Sequence, residues 1–228
     1  MTVTTCVFDA YGTLFDVTAA ARACAEEPGR EEFAAVASQL AQIWRLKQLQ
    51  YSWLRAAAGV HCSFWQVTRD GLDFALEAVG LADPALRRRL MDLYMELGAY
   101  PEAAGVLQRL KAAGRRCAIL SNGSPDMLQA AVASAGLGDL LDAVLSAESV
   151  GVFKPDRRVY ELVGRQFGCA AAEVLFVSSN GWDAAAAAGF GFRSVWVNRA
   201  GEPIERLPWR PDHEIGDLTG VPALAGVA

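Results

Sequence analysis

Histidine is almost missing from this chain: 228 residues contain two, His61 and His213. Neither sits in a recognisable triad setting, and no Gly-x-Ser-x-Gly elbow exists, so an α/β-hydrolase route is disfavoured. Cysteine is scarce, and its five copies (Cys6, Cys24, Cys62, Cys117, Cys169) are odd in number and far apart. Without a CxxC, neither a zinc knuckle nor a redox pair is supported, and reduced thiols in a cytoplasmic setting are expected. No Walker loop is present. Gly189-Phe190-Gly191 follows a helical stretch and precedes a strand, the wrong order for a dinucleotide fingerprint, and reads as a turn. Positive charge is in deficit, the formal net charge being −5. That gives no footprint for nucleic acid or an anionic membrane surface. Every long apolar stretch is broken by Arg, Asp or Gly, so none reaches membrane-spanning length. The N-terminus enters a strand without a basic segment and cleavage site, so no signal peptide is expected.

What is present is a large apolar fraction, 53%, enough for a sizeable core. The length suits one domain, or a core domain carrying a smaller inserted one. Apolar runs at 3–8, 117–120, 143–145, 174–177 and 194–197 read as buried strands. Between the later strands lie helical segments at 102–113, 125–135, 157–167 and 183–188, with Gly114, Gly136, Gly168 and Gly189 where C-terminal caps are expected. Alternation of this kind implies an α/β fold with a parallel sheet and helices on both faces. Only helical patterns occur from 16 to 97, which reads as an inserted helical cap. The expected division is a catalytic core of residues 1–15 and 98–228 and a cap of residues 16–97. No internal repeat is found, and the alanines of 183–188 read as tight helix packing.

A cap helix expected from about Glu31 to Ala57 has two apolar faces. Phe33, Val36, Leu40, Trp44 and Tyr51 fall on one stripe, and Leu46, Leu49 and Trp53 on another, with Arg45 at its edge. Such a helix is sandwiched between two partners. It is either the centre of the cap bundle or lies between the core and a second subunit, which would make a homodimer.

Chemistry-bearing residues gather at strand ends. Asp9 follows the first strand and Ser121-Asn122-Gly123 the second. The third leads to Lys154-Pro155, and Ser178-Ser179-Asn180-Gly181-Trp182-Asp183 follows the fourth. Open α/β sheets bind ligands at these carboxyl ends, near a switch in strand order. A carboxylate delivered there can act as a nucleophile. Two residues on, where an acid would be needed to help a phosphate ester leave, stands Tyr11. Taken alone, Asp9 ends a buried strand, Ser121 is a capping hydroxyl and Lys154 a solvated lysine. Their convergence on four strand ends is what argues for a site.

Asp9-Ala10-Tyr11-Gly12-Thr13-Leu14-Phe15 resembles the first motif of the haloacid dehalogenase superfamily. Most of its members are phosphatases carrying Asp-x-Asp at this turn, assisted by magnesium. Tyr at the second position is typical of the L-2-haloacid dehalogenase (type II) branch. Ser-Ser-Asn-x-Trp-Asp at 178–183 is similar to that branch's fourth motif, and Trp44 to Trp53 resembles its Trp-Arg-x-x-Gln-Leu-x-Tyr signature. The resemblance runs from Val7 to about Arg199 with four motifs in order. It implies a Rossmann-like core, the HAD fold, bearing a helical cap. Gln50 departs from the acid often found beside the cap tyrosine, and the segment after Arg199 is weakly patterned and carries no functional claim.

The resemblance places Arg45 and Asn122 towards a departing halide, with Leu49, Phe64 and Trp182 as apolar walls. Ser121 and the amides around Ala10 and Tyr11 can donate to a substrate carboxylate, since turns after strands form anion nests. Lys154 supplies the positive charge that keeps Asp9 ionised. Thr13 and Ser178 are expected to orient Asp9 and Lys154, as is Tyr160, since the branch has a tyrosine there. Magnesium prefers several hard oxygen ligands, and Asp9 with Asp183 beside a lysine is a poor set, so metal independence is expected and no cofactor. The expected reaction is hydrolysis of an (S)-2-haloalkanoic acid to the (R)-2-hydroxy acid. Asp9 attacks C2, halide leaves, and water then attacks the Asp9 ester, with Asp183 activating that water and Asn180 and Lys154 positioning it. A phosphatase of the same fold that tolerates Tyr11, or a non-catalytic small-molecule binding protein, are the alternatives.

Overall fold

The computed structural model describes residues 2–227. The chain opens with β1 (Thr5–Phe8), then runs through five helices: α1 (Ala19–Ala25), α2 (Glu31–Ala34), α3 (Ala37–Ala58), α4 (Phe64–Ala78) and α5 (Pro84–Met95). It continues with α6 (Ala103–Ala112), β2 (Arg116–Ser121), α7 (Pro125–Ser134), β3 (Ala143–Ser146) and α8 (Arg157–Phe167). The last elements are β4 (Val174–Ser178), α9 (Gly181–Phe190), β5 (Arg193–Val197), β6 (His213–Ile215) and α10 (Val221–Leu224). The strands form one sheet in the order β3-β2-β1-β4-β5-β6, every neighbouring pair parallel.

Covering both faces of a parallel sheet requires strands apolar on both sides, and the residues alternate accordingly. Cys6, Phe8, Ile119, Leu175 and Val177 join the core cluster that continues into the cap helices. Val7, Ala118, Leu120, Val174 and Phe176 join the cluster under α8 and α9. From β1 the chain winds outward to β2 and β3, then returns to place β4 against the other side of β1. That return is the switch point, and the carboxyl ends of β1 and β4 open onto it.

Several expected boundaries shift. The stretch at 31–57 is not one helix. Val36, at φ −120° and ψ 1°, interrupts it, leaving a single turn and then the 22-residue α3. The buried stripe of α3 is Ala37, Leu40, Trp44, Gln48 and Ser52, packed on α4 and α1. Of the second stripe, Leu49 and Trp53 are half-buried and Leu46 is 60% exposed. α9 runs on to Phe190, so its cap is Gly191 rather than Gly189. The three residues of β6 went unread because so short a strand has no periodicity to find; it exists through its ladder with β5.

Candidate active site

The backbone ladder carries past the last residue of β1, where the Asp9 N–H donates to the Val177 carbonyl of β4 at 2.9 Å. The chain then folds back. Amides of Thr13, Leu14 and Phe15 converge on the Ala10 carbonyl at 3.2, 2.9 and 3.0 Å. Gly12 turns the corner at φ +89°, and a Cβ there would stand 3.0 Å from the Ser179 hydroxyl; both conditions select glycine. Among the described residues the Ala10 and Tyr11 amides take no backbone acceptor in this turn, leaving them available to an anion.

Asp9 and Asp183 are joined by one buried ammonium. Lys154 Nζ lies 3.1 Å from Asp9 Oδ1 and 2.7 Å from Asp183 Oδ2, and all three residues are at most 6% exposed. The remaining oxygens are also satisfied. Asp9 Oδ2 accepts from Thr13 at 3.2 Å and from Asn180 Nδ2 at 3.0 Å. Asp183 Oδ1 accepts from the Tyr160 hydroxyl at 2.7 Å, and its Oδ2 from Ser178 at 3.1 Å. The seven residues expected to carry the chemistry thus form one continuous network. Ser178 differs in detail, since it donates to Asp183 rather than to Lys154.

Burial by itself would push the Lys154 ammonium down, but Asp183 and Asp9 together hold it above the ordinary lysine value. Burial raises the Asp183 carboxyl, and the charge of Asp9 adds to this against the pull of Lys154. Charged hydrogen bonds of this kind offset the desolvation only when every partner is present. The arrangement does not fit magnesium. The ammonium stands between the two carboxylates, and the loop after β4 offers Ser178, Ser179 and Asn180 with Asp183 as its acid.

Around this network stand the expected binding residues. Tyr11 is buried, with its ring 5.5 Å from that of Tyr94 and 6.2 Å from that of Phe64. Its hydroxyl has no partner among the described residues, and burial keeps it well above the usual phenol range, so the phenol stays neutral. Ser121 accepts the Gly123 N–H at 3.1 Å, and Asn122 Oδ1 accepts the Lys154 backbone N–H at 2.8 Å. Arg45 reaches down from α3, donating to Asn180 Oδ1 at 3.1 Å and to the Tyr11 carbonyl at 3.3 Å. Asn180 therefore links the cap arginine directly to Asp9. Trp182 meets Trp53 edge-on at 5.2 Å and lines a cavity with it and Tyr160, and Leu49 is half-buried on α3.

Other residues that matter were given no role in the sequence reading. Gln48 is buried, accepts from Arg45 Nη1 at 2.9 Å and donates to Thr68 at 2.8 Å and Tyr94 at 3.0 Å. A signal for it existed, because it lies three residues after Arg45, on the same helix face. Glu148 and Ser124 accept the Phe64 and Trp65 amides at 2.8 and 3.1 Å, tying the start of α4 to the loops after β2 and β3. Arg199 donates to the Thr13 carbonyl at 3.2 Å, pairs with Glu102 at 2.8 Å and lies over Tyr100. No local pattern announces these contacts.

A family model described as haloacid dehalogenase-like hydrolase matches residues 3–191. (S)-2-haloacid dehalogenase 1 of Pseudomonas sp. (strain CBS-3) is 44% identical over 220 residues, covering 96% of this chain and 95% of that protein. The (S)-2-haloacid dehalogenase of Xanthobacter autotrophicus is 49% identical over 195 residues, 85% of this chain and 74% of that one. Among solved structures, the L-2-haloacid dehalogenase from Xanthobacter autotrophicus with chloropropionic acid covalently bound superimposes with a TM-score of 0.88. It is 39% identical and covers 98% of both chains.

Proposed function

This chain belongs to the haloacid dehalogenase-like hydrolases, in their L-2-haloacid dehalogenase branch, and from that premise we propose that it hydrolyses (S)-2-haloalkanoic acids to (R)-2-hydroxyalkanoic acids. The observation that carries this reading is the buried ammonium of Lys154 shared by Asp9 and Asp183, with Asn180 coupling Asp9 to Arg45. It gives a nucleophile, a base and a cation facing the leaving group within one network.

The substrate carboxylate sits against Ser121 and the Ala10 and Tyr11 amides. Asp9 attacks C2 in line, the carbon–halogen bond breaks with its electron pair going to the halide, and C2 inverts. Negative charge grows on the halide beneath Arg45, with Asn122 as the second halide contact, and a guanidinium fixed beforehand stabilises that charge without reorganisation. An ester on Asp9 remains. Water then attacks the carbonyl carbon of that ester, so the stereochemistry at C2 is kept and the product hydroxyl oxygen is one that Asp9 supplied. Lys154 and Asn180 steady the oxyanion. Asp183, raised by burial, accepts the proton of the attacking water and returns it to the alkoxide released as the bond between the carbonyl carbon and the ester oxygen breaks, with Tyr160 and Ser178 fixing its orientation. Thr13 holds Asp9 in line, and Phe64 closes the apolar side over Tyr11. No step is routed through a metal.

Residues up to 15 and from 98 onward act in this reading as the catalytic core, and 16–97 as the cap that brings Arg45. The enzyme works as a cytoplasmic homodimer. Five unpaired thiols support the compartment, and Leu46 and Leu54, about three-fifths exposed on α3, support a cap-mediated pair. No helix among the described residues is long and apolar enough to cross a membrane. Light scattering on the eluting protein checks the dimer, and a monodisperse monomer refutes it.

Halide release from separate (S)- and (R)-2-chloropropionate in excess chelator tests the function, with p-nitrophenyl phosphate and magnesium alongside. Release from the (S)-acid alone is expected. Phosphate without halide would transfer the chain to the phosphatases.

A further inference from the structure

Helix α4 does not complete its own N-terminus. The first N–H groups of a helix have no partner inside it and need acceptors from a cap. At α4 the third of them, that of Gln66, goes to the Ser63 hydroxyl at 3.2 Å, as an ordinary N-cap provides. The first two cross to the loops after β2 and β3. The Phe64 N–H donates to Glu148 Oε1 at 2.8 Å and the Trp65 N–H to the Ser124 hydroxyl at 3.1 Å. Ser124 in turn donates to that same Glu148 oxygen. One carboxylate oxygen therefore serves an amide of α4 and a hydroxyl of the loop after β2, and its charge stands at the positive end of the helix.

What this oxygen ties together is the binding side of the site. Phe64, the first residue of α4, is buried, with its ring 6.2 Å from that of Tyr11 and 5.9 Å from that of Phe153, the neighbour of Lys154. The loop after β2 carries Ser121 and Asn122 as well as Ser124. It packs so closely on Tyr11 that a Cβ at Gly123 would stand 2.7 Å from that ring. From β3, the Ser146 hydroxyl donates to the Gly123 carbonyl at 2.7 Å and accepts the Glu148 N–H at 3.2 Å. The side-chain bonds of Asp9, Lys154 and Asp183 go elsewhere. Resting on the dehalogenation reading above, we propose that Glu148 is a positioning residue for substrate binding. It clasps α4 to the loop of Ser121 and Asn122, so that the Phe64 wall and the donors to the substrate carboxylate and halide keep one spacing. Wall and loop meet the acid alike before and during the displacement, and losing contacts of that kind raises KM while leaving kcat.

The test compares Glu148→Ala, Glu148→Gln and Ser124→Ala with the wild type, by site-resolved amide hydrogen exchange and by kcat and KM for (S)-2-chloropropionate. Glu148→Ala is expected to speed exchange at Phe64 and Trp65 at least about tenfold, with little change at Gln66, which Ser63 caps. Its KM is expected to rise about tenfold, with kcat within about threefold of the wild type. Glutamine keeps an oxygen that can accept both bonds, so Glu148→Gln should hold exchange and KM within about twofold of the wild type. Ser124→Ala should release the Trp65 amide and raise KM less than Glu148→Ala does. Faster exchange with an unchanged KM would make the clasp purely structural and overturns the proposal. So does a kcat that falls as far as KM rises, or a Glu148→Gln that behaves as Glu148→Ala. If the wild type releases no halide, the dehalogenation reading falls and the binding role with it, and exchange at Phe64 and Trp65 then judges the clasp by itself.

Discussion

On the core side of the site, Asp9, Asp183 and Lys154 are buried, and all four carboxylate oxygens are occupied by donors from β4, α8 and the loops after β1, β3 and β4. On the cap side, Arg45 remains half-buried. It is aimed by Gln48 on its own helix, which is braced in turn by Thr68 of α4 and Tyr94 of α5. The core side is a closed charge cluster in which every member depends on the others. The cap side is a single cation at the end of a neutral hydrogen-bond chain. Charge on the core side is therefore buried and matched, while the charge proposed to meet the departing halide stands half-buried on a cap helix.

Substitutions should expose that asymmetry in a definite order. Replacing Asp9 with Asn should remove turnover entirely, since an amide cannot form the ester; steady-state halide release without deamidation back to Asp would contradict the covalent scheme. Lys154→Met should destabilise the fold as well as stop the reaction, because it leaves two buried carboxylates unpaired. The expected loss is about 3–5 kcal/mol, read from denaturant unfolding. Arg45→Leu should lower kcat about 100- to 1,000-fold and leave stability within about 1 kcal/mol. Gln48→Leu should reverse that pattern. It should cost about 1–3 kcal/mol of stability by orphaning Tyr94 and Thr68, with a smaller loss of kcat than Arg45→Leu. Equal effects of the two cap substitutions on kcat would mean that Arg45 needs no brace.

The smallest effect is on pH dependence. Proton acceptance needs Asp183 as carboxylate, so kcat should fall with acidification at a pH above the ordinary aspartate value of 3.8, because the carboxyl is raised. Asp183→Asn should abolish that limb together with most activity. Lys154 holds its proton more tightly in the folded state than in the unfolded chain. Its contribution to stability is therefore complete below 10.5 and is lost only as the pH climbs through its higher folded value. A stability profile that declines well below that pH would contradict the pairing.

Reading the chain alone located the core side far better than the cap side, for a physical reason. Asp9, Ser121, Lys154 and Asp183 all follow apolar runs that can only be buried parallel strands, and strand ends of one sheet must meet. Arg45 stood out only through a signature; nothing in its immediate pattern distinguishes it from a surface helix arginine. The break at Val36 was hidden because apolar spacing continues through it. Trp182 was named as a wall only through the resemblance, and it took the packing of α9 to set its ring edge-on to Trp53.

The sequence by itself determined the parallel α/β core, the helical insertion after the first motif, and the set of polar side chains at the strand ends. Hydrophobic period and turn chemistry are local, and they suffice for those. Only the tertiary structure decided that one ammonium serves both Asp9 and Asp183, that Gln48 aims Arg45, and that Glu148 and Ser124 moor α4. Each of these joins side chains from separate elements, and such contacts follow from how the elements pack rather than from any stretch of chain.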